Sequence, residues 1–137
     1  MMRTEGWRKR FSAYVNAARA NPYQLGAHDC WLFVAGAVEA MTGVDHAKPH
    51  RGRYKAPKGA LGVMKRAGAA NMADFAGLFF PERAAPVMAQ IGDVMAIPTD
   101  DAFGFSLGIL NGERILVVTP AGIETRDRAE ATRAFEV

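Results

Sequence analysis

The sequence predicts a single α+β domain over residues 1–137, helices first and an antiparallel sheet after them. Three observations predict it. Apolar residues recur at helical spacing in the first half, and from Gly92 onward they fall in short strand-length runs. Asn111-Gly112, between two such runs, is the strongest two-residue hairpin signal. Helices followed by strands point to α+β, not to a repeating βαβ chain. A chain of 137 residues fits one domain, and it can bury roughly two-thirds of its unfolded surface without a metal or disulfide staple.

The first helix rests on Trp7, Phe11, Tyr14, Val15 and Ala18, one apolar stripe with Arg8, Lys9, Arg10 and Arg19 outside it. Thr4 is its predicted N-cap and Asn21-Pro22 its stop, because proline lacks the helical donor and restricts its predecessor. The second helix is predicted from Asp29, as N-cap, to Thr42-Gly43, with a left-handed glycine closing it. Its predicted buried stripe is Cys30, Phe33, Val34, Ala37, Val38 and Met41. Pro57 opens a third helix through Ala67, ended by Gly68, and Asn71 caps a fourth, Met72 to Leu78. Strands are predicted at Val94–Ile97, Phe105–Leu110, Glu113–Val118 and Ile123–Thr125, with a terminal one over Ala134–Val137. No internal repeat or low-complexity segment interrupts them.

Half the residues are apolar and 23% are charged, the balance of a folded soluble protein. Cys30 stands alone, which excludes an internal disulfide and a four-cysteine zinc site; with only three scattered histidines, no metal and no cofactor are expected. No apolar run approaches the ~18 residues of a membrane span. The leading MMRTEGWRKR has no apolar core behind its charges, so no signal peptide is expected and the chain is expected to be made in the cytoplasm. A net charge of +3 falls short of a nucleic-acid-binding signature. The excess is local: Lys48, Arg51, Arg53, Lys55 and Lys58 crowd Asp45–Lys58 against one acid. Such a cluster is either a solvated loop or a contact to an acidic partner.

Chemistry concentrates in PYQLGAHDCWLF, residues 22–33. A cysteine in a helix's first turn meets unpaired backbone N–H groups and the positive end of the dipole, which favour thiolate. The same position equally suits a buried structural cysteine. His28, two residues before Cys30, is a possible base, as are His46 and His50 in the basic loop; Asp29 reads as a cap before an acid.

Pro22-Tyr23-Gln24-Leu25-Gly26-Ala27-His28-Asp29-Cys30, the apolar helix to Thr42-Gly43, and Ile91-Gly92-Asp93-Val94-Met95 together resemble the core of NlpC-type peptidoglycan endopeptidases, which are papain-like cysteine hydrolases. Ser106-Leu107-Gly108-Ile109 sits where those enzymes read HVGI. The resemblance runs over roughly residues 22–118 in the right order. With the Trp7–Tyr14 helix, MTGVD and RGRY, the whole chain looks like a compact family from tail modules of tailed phages, prophages and gene transfer agents. The resemblance implies a papain-like domain with Cys30 as nucleophile, a base on the second strand and an orienting polar residue on the third. Here the base position is Ser106, and the orienter falls within the apolar Leu116–Val118.

The reading that follows is a structural component of a phage-type tail tip, carried in the virion, with a degenerate active site. Its expected partners are other tail-tip or hub proteins, with peptidoglycan as a further contact; no nucleic acid and no membrane span are expected. The alternative is an active cysteine endopeptidase that cleaves peptidoglycan cross-links during genome delivery, and a third reading is a tail-assembly chaperone.

Overall fold

A computed structural model describes residues 2–137. Four helices, α1 (Trp7–Ala18), α2 (Cys30–Thr42), α3 (Pro57–Arg66) and α4 (Met72–Gly77), precede five strands: β1 (Val94–Pro98), β2 (Phe105–Leu110), β3 (Arg114–Thr119), β4 (Gly122–Asp127) and β5 (Arg133–Phe135). The strands form one antiparallel sheet in the order β4-β3-β2-β1-β5. The terminal strand therefore returns across the sheet to pair with β1, Val94 opposite Phe135.

The α2 signals hold at both ends: Asp29 accepts from the Leu32 N–H and Gly43 takes φ 84°. The helix between them differs from the single predicted stripe. Trp31, Leu32 and Ala35 are buried alongside Phe33, Val34, Ala37, Val38 and Met41, so α2 is a central helix covered on nearly every side. It packs on β2 and β3 beneath, with α1 beside it. Gly36 makes the α1 approach possible, because a Cβ there would collide with the Tyr14 ring, whose hydroxyl donates to the Phe33 carbonyl at 2.8 Å. Burial raises the Tyr14 phenol to about 12, so it stays a donor.

Thr4 does not cap α1. Gly6, at φ 75°, occupies that position without a side-chain hydrogen bond, and the Thr4 N–H and hydroxyl both donate to the Met41 carbonyl instead. The third and fourth helices start at Pro57 and after Asn71 as expected; Asn71 accepts from the Asp74 N–H. The hairpin forms, but its bend lies one residue later. The Asn111 N–H donates to the Arg114 carbonyl, leaving Gly112-Glu113 at the tip with Gly112 at φ 129°.

Both sheet faces are covered. Val94, Ala96, Leu107, Ile109, Leu116 and Phe135 join the core under α2. Met95, Ile97, Leu110, Ile115 and Val117 form a second, smaller core with Ala134 of β5 and with Ala89 and Ala131 from the connecting segments. Buried on both sides, β1 and β3 read as unbroken apolar runs, while β4 at the edge is mostly exposed.

Candidate functional site

The α2 N-terminus is built by a tight loop. Gln24 and His28 exchange backbone hydrogen bonds at 3.0 and 2.7 Å, which folds residues 24–28 back on themselves. Gly26, at φ 84°, lies where any Cβ would strike the Tyr54 carbonyl, and its own carbonyl accepts from the Gly52 N–H at 2.8 Å. The RGRY segment is thus clasped to the HDC turn. Asp29 completes the clasp: Oδ1 accepts from the Leu32 N–H, and Oδ2 accepts from the Gly26 N–H at 3.0 Å and the Tyr54 hydroxyl at 2.6 Å. Burial and the Asp29 carboxylate hold the Tyr54 phenol far above its usual range, so it remains a donor. Asp29 is a cap and a clasp, with every oxygen engaged.

Beside this clasp lies a cleft of about 200 Å³ between the start of α2, the inner faces of α3 and α4, and β2. Cys30 and Ser106 both line it, so the structure places in one cleft the two residues that the sequence resemblance singled out as nucleophile and base positions. Val63, Met64, Met72, Phe75, Phe103 and Phe105 make its walls apolar, and Tyr23, 37% exposed, stands at its edge. Val118, within the segment where the orienter was expected, lines it as well.

Cys30 is partly exposed to this cleft. Two opposing effects act on its sulfur. Burial in apolar surroundings and the nearby Asp29 and Asp101 carboxylates oppose the thiolate, while the backbone N–H groups of Leu107 and Trp31 beside the sulfur favour it. Burial is the largest effect and pushes the thiol up to about 11. The helix-terminus argument for a thiolate is therefore outweighed. The Leu107 N–H is available because β2 pairs with β3 only at Ile109–Leu116 and Leu110–Ile115.

None of the three histidines lines the cleft. His28 is 8% exposed and its ring meets the Phe33 ring edge-on at 6.1 Å, in the core and not in the cleft. His50 Nδ1 accepts from the Trp31 indole N–H at 3.0 Å, which places its remaining proton on Nε2. His46 and His50 pack among Phe75, Phe79 and Phe80. Burial lowers all three imidazoles from their ordinary value. Among the described residues, no cluster of three or more His, Cys, Asp or Glu side chains could hold a metal ion, and no helix is long and apolar enough to cross a membrane.

Sequence reasoning missed Tyr54, Asp101 and the Leu107 amide. The RGRY motif was the available signal for Tyr54. Asp101 accepts from the Thr99 hydroxyl and the Phe103 N–H, shaping the loop that brings Phe103 to the cleft. The Leu107 amide carries no sequence signal, since any residue would supply it.

Fold and site together define an α+β domain with a cysteine-bearing apolar cleft and no imidazole facing the thiol. The chain belongs to the family described as Domain of unknown function (DUF6950), which it matches over residues 2–137. No curated protein matches it.

Proposed function

We propose that this protein is a structural component of a tailed-phage-type tail tip: a papain-like, NlpC-related domain whose hydrolytic site is silent. The observation that carries the silent site is the cleft itself, which Cys30 and Ser106 line with no histidine beside them and in which the Cys30 thiol is pushed up to about 11. At pH 7 such a thiol is ionised in about one molecule in ten thousand. A serine hydroxyl near neutral pH takes no proton from it, and general acid–base help, typically worth 10²–10⁴-fold, is missing. Assignment to a tail tip rests on the order of the HDC, MTGVD, RGRY and GDV motifs along the chain.

The test pairs purified sacculi with purified particles. Wild type and Cys30→Ala should release equally little soluble peptide from sacculi, Cys30→Ala particles should assemble normally, and the protein should be found in the particle at the tail tip. Robust release by wild type, lost in Cys30→Ala and His28→Ala, would overturn the silent site in favour of an active endopeptidase. Absence from finished particles would instead indicate an assembly chaperone. Iodoacetamide alkylation against pH adds a direct reading of the thiol, with an inflection expected near 11.

A further inference from the structure

Charge is distributed very unevenly along this chain. Residues 46–73 hold seven of its 17 lysines and arginines and none of its 14 acidic residues, so the remainder is net negative by four. Of those seven cations only Arg51 is ion-paired among the described residues, to Asp45 at 2.8 Å. Arg53, Lys55, Lys58, Lys65 and Arg66 are exposed, on α3 and the segment leading into it.

Helix geometry gathers three of them. Ala60, Val63 and Met64 turn inward to line the cleft. Lys58, Lys65 and Arg66 lie four before, three after and four after Gly62, around the opposite face. With no side chain at Gly62 the helix backbone can be approached closely there; only the Arg66 guanidinium covers it. Helix stability does not account for this arrangement. Cations in the last turn complement the dipole, which covers Lys65 and Arg66, but Lys58 in the first turn opposes it, and α3 has no acid there and no side-chain cap.

We infer that the outward face of α3 docks an acidic segment of another protein, whose carboxylates pair with Lys58, Lys65 and Arg66 across Gly62. The inference deepens the structural reading by giving the partner's chemistry, and its test is independent of whether Cys30 cuts anything. A protein partner fits better than a nucleic acid. The patch is one ten-residue helix about 15 Å long on an otherwise acidic molecule. Tyr54, the aromatic residue among these cations, is 8% exposed with its hydroxyl tied to Asp29, leaving no ring for base stacking.

The experiment measures binding of a fluorescein-labelled octaglutamate peptide to the full chain by anisotropy, with a twenty-residue oligothymidine as the nucleic-acid probe. The variant Lys58→Glu/Lys65→Glu should bind the peptide at least about tenfold more weakly, whereas Lys9→Glu/Arg19→Glu, on α1 and at its C-cap and an equal change of net charge, should alter it less than about twofold. Thermal melts check the fold, and Lys58→Gln/Lys65→Gln repeats the comparison if the first pair unfolds. No peptide binding by wild type, or equal weakening by both variants, would overturn the inference. Tighter binding of oligothymidine than of the peptide would assign the face to nucleic acid instead.

Discussion

Asp93 is fully buried between two guanidinium groups, whereas Asp29, 4% exposed, is held only by neutral donors. Arg83 contacts Asp93 Oδ2 at 2.9 Å and Arg3 contacts Oδ1 at 3.4 Å, while the Gln90 and Val137 amides add two further bonds. Arg3 also donates to the Val137 and Ile91 carbonyls, and Arg83 pairs with Glu136. The Asp93 network therefore ties both ends of the described chain to the start of β1. Asp29 instead ties three nearby turns, through Leu32, Gly26 and Tyr54, around the Cys30 cleft. Removing a carboxylate offset by two cations strips both of a buried ion pair, leaving Arg3 with its two carbonyls and Arg83 with the half-exposed Glu136. One satisfied by amides and a phenol sets local geometry at lower cost. The comparison separates a residue that holds the fold from one that shapes the site, although in sequence each is a single aspartate within a short motif, HDC or GDV.

The largest effect should come from the fold-holding side. Asp93→Ala is expected to cost about 3–5 kcal/mol, read as a lower urea midpoint. Asp29→Ala should cost less, about 2–4 kcal/mol, through the lost cap and the stranded Tyr54 hydroxyl. Unlike Asp93→Ala at matched fractions folded, it should also change the Cys30 alkylation rate. An Asp29 variant as unstable as the Asp93 one would break the distinction. Tyr54→Phe, which removes one donor and keeps the ring, should cost about 1–2 kcal/mol, most of it shared with Asp29→Ala in a double-mutant cycle.

The smallest effect is a pH dependence centred on neither aspartate. Burial lowers His28, His46 and His50 in the folded chain. The unfolded chain takes up their protons first, so stability should be fully present above about pH 6.5 and decline as the pH falls below it. Melting temperature from pH 8 to pH 5 should show this decline, and His50→Phe should flatten it. A curve that rises on acidification would contradict the burial of these rings.

Much of the architecture was legible in local sequence. The α2 boundaries follow from Asp29 and Gly43, the third and fourth helix starts from Pro57 and Asn71, and the strands from short apolar runs, because each signal acts over a few residues of backbone. The same sequence determined that Cys30 opens a helix. Only the tertiary structure decided that α2 is buried all round, that the thiol's burial outweighs its helix terminus, and that the three histidines pack in aromatic surroundings outside the cleft. It also decided that Tyr54, twenty-five positions away, completes the Asp29 clasp. Desolvation and partner choice depend on which distant segments arrive at a site, and helical or strand periodicity carries no information about that.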